Sequence, residues 1–173
     1  MPSNPGVYFV TAFSGLLAPY LDPGPTDLLV GLTSYTTPAH VARATLEANE
    51  FQTPMVIESM ELDYFKSELV HLKVDGGMTN GDLAMEVLAD VGGFEVVRPE
   101  MRESTALGSA LLAASAVGLF GWDITRPETL EYVNTARSTV FAPRTTLEEW
   151  SRAWRGWQRA VERSRGWIET EEE

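Results

Sequence analysis

Residues 69–90, LVHLKVDGGMTNGDLAMEVLAD, constrain the fold of this chain more than any other segment. The first six residues are an apolar-rich run with the length of a short buried strand. Asp75, Gly76 and Gly77 then turn the chain. Helical spacing follows, with Leu83, Val87 and Val91 on one face and Met85 and Leu88 flanking it. A strand, a glycine turn and a helix in that order bring backbone N–H groups close to a phosphate or a ribose. Glycine suits the turn because a Cβ would block that approach and because the backbone can require φ > 0. The spacing is not G-x-G-x-x-G, and no G-x-x-x-x-G-K-[ST] occurs in the chain, so neither the dinucleotide fingerprint nor the P-loop is supported. The same spacing also fits an ordinary structural β–α turn, and on spacing alone that reading stays open.

The 173 residues suffice for one domain with a real core and hardly for two. Hydrophobic residues at 44% and five Trp place the chain among folded proteins. Thirteen Lys and Arg against 25 Asp and Glu give a formal charge of −12. Nucleic-acid phosphates need clustered cations, so that balance argues against nucleic acid, and against an anionic membrane surface. A single nucleotide remains compatible, because backbone amides act locally. No cysteine is present, which removes a disulfide framework, a thiolate nucleophile and Cys-ligated zinc, and fits a reducing compartment. His40 and His71 are the two histidines and lie far apart, so a His-based metal centre or a Ser/His/Asp triad is not expected. The opening MPSNPGVYFV lacks the basic region and apolar length of a signal peptide. The longest apolar-rich run, residues 106–120, is short and interrupted by Gly108, Ser109, Ser115 and Gly118, so no membrane span is expected.

Along the chain, residues 7–10 and 28–32 read as strands, separated by a Pro- and Gly-rich loop at 15–27. Thr37 as N-cap and Pro38 at the first helical position open a helix with Val41, Ala44, Ala48, Phe51 and Met55 on its apolar face. Pro54 removes a backbone hydrogen bond, so a kink or a stop is expected there. After the glycine turn and its helix, Gly92 and Gly93 form a C-cap. Residues 94–97 read as a strand, and Ser104 opens a small-residue helix suited to close packing against a sheet or another helix. This order predicts two parallel strands with right-handed crossovers. Residues 122–143 read as irregular. Trp150, Trp154, Trp157, Val161 and Ile168 form a stripe on a last helix, which reads as core packing rather than a cofactor site. Residues 169–173 form an acidic tail.

Five ordered blocks then add up to a resemblance: GVYFVTAFSGLLAPYLDP, VGLTSYTTPAHVARATLEANEFQT, HLKVDGGMTNGDLAMEVLADVGG, VVRPEMRESTALGSALLAASAVGLFGW and WRGWQRAVERSRGW. Over residues 5–167 the chain resembles the C-terminal part of the glycerol kinases of the FGGY carbohydrate kinase family, closest to the eukaryotic type. The resemblance implies an α/β fold, a partial RNase H-like, actin-like ATPase domain at residues 1–168 that lacks its first strands. It implies magnesium-dependent transfer of the γ-phosphoryl group of ATP to glycerol, giving glycerol 3-phosphate. It also implies that the glycine turn lies beside the nucleotide, with Gly76, Gly77, Asn80 and Gly81 as the nucleotide-binding residues. Gly81 stands where many relatives carry an Asn. Leu21 stands for the Trp of a PYWDP loop, Asp27 for a glycine, and Pro54 for a charged helical residue.

The resemblance further implies that the catalytic base, the glycerol-holding groups and both phosphate hairpins belong to parts of the family outside this chain. No residue here is therefore assigned a catalytic or metal-ligating role. Asp22, Glu47 and Asp75 are expected in local hydrogen-bonding or turn roles. The expected partners are ATP with Mg2+, and glycerol only together with the N-terminal domain. A cytoplasmic setting is expected, and a homo-oligomer stays open. An isolated chain would lack turnover. The strands at 69–74 and 94–97 would lose neighbours, and apolar surface left in water costs about 25 cal/mol per Å². A low melting temperature or self-association is expected.

Overall fold

The computed structural model describes residues 6–63 and 71–167. The elements are β1 (Tyr8–Val10), β2 (Leu28–Val30), α1 (Pro38–Asp63), β3 (His71–Lys73), α2 (Asp82–Gly92), β4 (Glu95–Arg98), α3 (Ser104–Ala116), β5 (Thr139–Phe141) and α4 (Leu147–Ser164). Short 3-10 turns lie at Gly77–Asn80, Leu119–Gly121 and Pro127–Leu130.

Two small sheets organise these elements. β1 and β2 pair antiparallel, with Phe9 opposite Leu29. β3 pairs parallel with β4, with Leu72 opposite Val96, and β4 pairs antiparallel with β5, with Val97 opposite Val140. The parallel pair follows the sequence reading. β5 corrects it: residues 139–141 lie inside the stretch read as irregular. Three residues are too few to show a period of two, and pairing with β4 is what makes them a strand. Of the strand read at 69–74, residues 71–73 are in β3, and residues 69 and 70 lie outside the described residues. So do Ile168 and the acidic tail.

The loop before β2 is held by its own polar groups. Leu16 and Asp22 exchange backbone hydrogen bonds of 2.8 and 2.9 Å. The Asp22 carboxylate accepts from the Gly24 N–H at 3.0 Å and from Arg165 Nε at 3.0 Å. Those bonds hold its carboxyl below the usual carboxylate range. Asp27 accepts from the Ala12 N–H at 2.7 Å, which ties β2 to the end of β1.

α1 starts where expected. The Thr37 carbonyl accepts from the N–H groups of His40 and Val41, and the Thr37 N–H donates to His40 Nδ1 at 3.2 Å. Pro54 does not stop the helix, which continues to Asp63. A mid-helix proline costs about 3 kcal/mol. Packing on both sides offsets that cost, since Phe51 and Met55 enter one core cluster and Ile57 packs against another.

α2 lies between those two clusters. Its Val87 and Val91 join Val10, Ala12, Leu16, Phe51, Met55, Trp157, Ala160 and Val161. Its Ala84, Met85, Leu88 and Ala89 join Phe94 and Val96, with Leu72, Val74 and Phe141 against them. Gly93 ends α2 in the left-handed region, and its N–H donates to the Ala89 carbonyl, the C-cap that the sequence signals. α4 opens with a capping box between Thr146 and Glu149. Its tryptophans are core packing as read: Trp157 stacks on Phe51 with ring centroids 5.4 Å apart, and Trp154 stacks on Trp157 at 5.6 Å. Gly156 lets α4 approach β1 closely, because a Cβ there would come within 2.1 Å of the Tyr8 hydroxyl.

α3 departs from the expected close packing. Ala114 is its one buried residue, while Leu112 is 56% exposed and the following Phe120 is 76% exposed. The run from Ser104 to Trp122 carries no charged side chain, and most of its residues are exposed. Among the described residues no helix is long and apolar enough to cross a membrane.

Candidate functional site: the glycine turn after β3

Parallel pairing of β3 and β4 sets the ends of the two strands side by side, so the loops that follow them are neighbours. The Val74 N–H donates to the Val97 carbonyl at 3.1 Å and carries the pairing one residue past β3. Asp75 then accepts a hydrogen bond from the hydroxyl of Ser104, the first residue of α3. Gly76 has φ +89°, a backbone conformation that strains any residue with a Cβ. Its N–H donates to the Arg102 carbonyl at 2.9 Å.

The turn is then wound tightly on its inner side. The Gly76 carbonyl accepts from the Thr79 N–H at 3.1 Å and from the Thr79 hydroxyl at 2.7 Å. Thr79 is buried beneath the turn. Arg98, at the end of β4, donates from Nη1 to the Thr79 carbonyl at 2.8 Å and lies 2.7 Å from the Asp82 carboxylate. Its guanidinium stands 4.9 Å from the centre of the Phe141 ring on β5. Arg102 donates from Nη1 to Asn80 Oδ1. The Gly81 N–H closes the turn on the Met78 carbonyl at 3.2 Å, and the Gly81 carbonyl receives the Met85 N–H at the start of α2. No side chain caps that end of α2.

The outer side is open. A Cβ added at Gly76 or at Gly77 would meet no atom within 4 Å. A fixed backbone with open space over two glycines can receive a ligand that lies flat against the main chain. The start of α2 has no side-chain cap, and the carboxylate of Asp82 in its first turn is paired with Arg98. The four residues read as nucleotide-binding, Gly76, Gly77, Asn80 and Gly81, all lie on this one turn. Thr79, Arg98 and Arg102 were missed. The signal that could have found the arginines is the parallel pairing itself, which brings residues 98–104 against residues 74–82.

The other carboxylates read from the sequence do local work. Glu47 pairs with Arg43 at 2.6 Å, one helical turn away on α1, and Asp22 holds its own loop. Glu50, on α1, is a buried acid that sequence reasoning did not single out, and burial pushes its pKa up to about 7. It belongs to the α1 packing rather than to the glycine turn. Among the described residues no group of three or more His, Asp or Glu could hold a metal ion. The described residues do not by themselves form a cage for Mg2+.

Comparison with known proteins follows the same lines. Residues 2–117 match the C-terminal domain of the FGGY family of carbohydrate kinases. Glycerol kinase 1 of Streptomyces avermitilis is 45% identical over 169 residues, a match that covers 98% of this chain and 32% of that protein. The glycerol kinase of Trichlorobacter lovleyi is 44% identical, covering 98% of this chain and 33% of that protein. The crystal structure of Plasmodium falciparum glycerol kinase with ADP superposes with a TM-score of 0.81 at 30% identity, over 97% of this chain and 32% of that one. A xylulose kinase from Rhodospirillum rubrum, 22% identical with a TM-score of 0.68, shares the fold. The chain spans about a third of the length of the relatives it matches.

Proposed function

This chain belongs to the FGGY family of carbohydrate kinases, and on that premise we propose that it forms the adenosine-side wall of the nucleotide cleft of a glycerol kinase. The observation that carries the reading is the glycine turn after β3: strapped from beneath by Arg98 and Arg102, open above Gly76 and Gly77, and contained in a chain similar to an ADP-bound glycerol kinase. The backbone at Gly76 and Gly77 lets the ribose and phosphates of ATP approach. Asn80 and Gly81 stand at the entry to α2, next to the phosphates in this reading. Mg2+ would accompany the phosphates of ATP, and no described residue of this chain is assigned to hold it.

Phosphoryl transfer depends on positioning and on charge stabilisation around the γ-phosphate. Under this reading the chain positions the nucleotide. The groups that hold glycerol and take its proton belong to the two-thirds of the family's length that the chain does not span. The chain alone therefore binds nucleotide without turnover. The absence of cysteine supports a cytoplasmic setting as part of the same proposal.

The test is calorimetry of the purified chain with ADP, beside a Gly77→Val variant. The wild-type chain is expected to take up ADP and the variant to lose it at unchanged stability, because the added side chain meets only open space. An ADP-binding variant would remove Gly77 from the site, and a wild-type chain that gives no heat at millimolar ADP would remove the nucleotide reading. A coupled glycerol assay completes the test, since turnover above blank would overturn the division of labour.

One observation favours a second reading, a catalytically inactive fragment that docks on a kinase partner. α3 and the turn after it are uncharged and exposed, and uncharged surface of this kind is commonly covered by a partner. Sedimentation with and without the Streptomyces avermitilis relative decides it. A chain that stays monomeric beside that kinase argues against docking.

A further inference from the structure

We propose that Arg102 is a positioning residue for the nucleotide, acting by fixing the side-chain amide of Asn80; the proposal rests on the nucleotide reading of the Gly76–Gly77 turn. One residue holds both ends of that turn. The Arg102 carbonyl accepts from the Gly76 N–H at 2.9 Å, and its guanidinium donates to Asn80 Oδ1. The first bond fixes where the glycines begin, and the second fixes where Asn80 sits.

The second bond also sets what Asn80 can offer. An Asn amide has one acceptor oxygen and two N–H donors. Arg102 takes one of the two lone pairs on that oxygen. Among the described residues nothing accepts from Nδ2, and Asn80 is exposed. With Oδ1 held by the Arg102 guanidinium, the free capacity of the Asn80 amide lies chiefly in its two N–H donors. That arrangement suits a ligand presenting acceptor atoms, namely the ribose hydroxyl oxygens or the ring nitrogens of a nucleoside diphosphate.

The arrangement is not favourable for the fold by itself. Among the described residues the buried Arg102 Nε has no hydrogen-bond partner, and an unpaired buried N–H costs stability. A side chain kept purely to close the turn would do better without that cost. Holding the donor of Asn80 in place for a ligand gives the strap a purpose beyond local stability.

The experiment titrates the full chain with ADP by calorimetry for wild type, Asn80→Ala, Asn80→Asp, Arg102→Ala, Arg102→Lys and the Asn80→Ala/Arg102→Ala pair, with a thermal melt of each. Asn80→Asp keeps an acceptor for Arg102 but removes the donors. It should weaken ADP binding by about tenfold while the melt holds. Arg102→Ala should weaken binding several-fold, and Arg102→Lys should restore part of the loss. In the Asn80→Ala background, Arg102→Ala should add no further loss, because its action passes through Asn80.

Wild-type uptake of ADP with an equal affinity in Asn80→Asp would overturn the inference and leave the nucleotide reading standing. Equal losses from Arg102→Ala in both backgrounds would also overturn it, since Arg102 would then touch the nucleotide directly. No uptake by wild type would sink the nucleotide reading and this inference with it. Repeating the wild-type and Asn80→Ala titrations with 2′-deoxy-ADP and with GDP identifies the acceptor. A loss on 2′-deoxy-ADP that vanishes in Asn80→Ala assigns the ribose, and the same pattern with GDP assigns the base.

Discussion

Pro54 follows Glu50 by one turn of α1, so the Glu50 carbonyl lacks the amide donor that an α-helix supplies four residues on. The Glu50 side chain is 5% exposed and makes no ion pair among the described residues. A buried acid and a missing helical bond thus share one turn in the middle of the longest helix. Both are tolerated because Phe51 and Met55 are packed between and beside them.

Replacing Pro54 with alanine should therefore stabilise the chain. The interior-helix penalty of about 3 kcal/mol is relieved. Part of that gain, about 0.4–1 kcal/mol, is returned because the unfolded chain becomes freer. A net gain of about 2 kcal/mol is expected as a higher urea midpoint at unchanged slope. An unchanged or lower midpoint would mean that the proline sets a helix direction the packing needs.

Glu50 should make stability depend on pH in the direction opposite to a paired carboxylate. Its pKa rises from 4.5 to about 7 in the folded chain through burial. Below the unfolded value both states are protonated and burial of the acid carries no ionisation penalty. Between the two values the unfolded state releases the proton and the folded state keeps it, so stability falls as pH rises, by about 3 kcal/mol in all. Above the folded value the loss is complete. Urea unfolding at pH 4.5, 6 and 8 should show a difference between wild type and Glu50→Gln that widens with pH in favour of the variant; a difference independent of pH would place Glu50 in contact with water or a cation.

The sequence showed the parts of this fold that repeat a pattern. The spacing of Val87 and Val91 marked α2, and the tryptophans at 150, 154 and 157 marked α4. Gly76 and Gly77 marked a turn, but their spacing alone fitted a structural turn as well as a nucleotide site. What stayed hidden is what distant residues decide. Thr139, Val140 and Phe141 become β5 because β4 offers an edge, not because three residues prefer to be extended. α1 passes Pro54 because the core on both sides outweighs one lost bond. Arg98 and Arg102 carry no spacing signal, and their roles follow from where β4 ends, which only the pairing of the strands reveals.

Gly156→Ala should destabilise the chain, although alanine is the better helix former. The added Cβ would overlap the Tyr8 hydroxyl at 2.1 Å and ring carbons at 2.2 and 2.8 Å, so the whole ring must move. Overpacking of this kind costs about 1–3 kcal/mol, against about 1 kcal/mol gained in helix propensity. In a Tyr8→Ala background the obstruction is gone, and the same change should become stabilising. Thermal melts of the four proteins test the reversal of sign; two losses of equal size would show that the helix, not the tyrosine, objects to the methyl group.

The stack of Phe51 on Trp157 separates aromatic volume from indole chemistry. Trp157 is fully buried, and its Nε1 has no acceptor among the described residues, so the ring contributes packing and an unsatisfied donor together. Trp157→Phe keeps an aromatic face against Phe51 and removes the donor, and should cost no more than about 1.5 kcal/mol. Trp157→Ala opens a cavity between α1 and α4 and should cost about 3–5 kcal/mol. The same cluster holds Val87 and Val91, so loosening it frees α2, the helix whose first residues follow the glycine turn. ADP uptake should therefore survive in Trp157→Phe and fall in Trp157→Ala only as far as the folded fraction falls. A loss of uptake in Trp157→Phe at full folding, read by far-UV circular dichroism beside calorimetry, would show that the tryptophan core sets the geometry of the turn and not merely its stability.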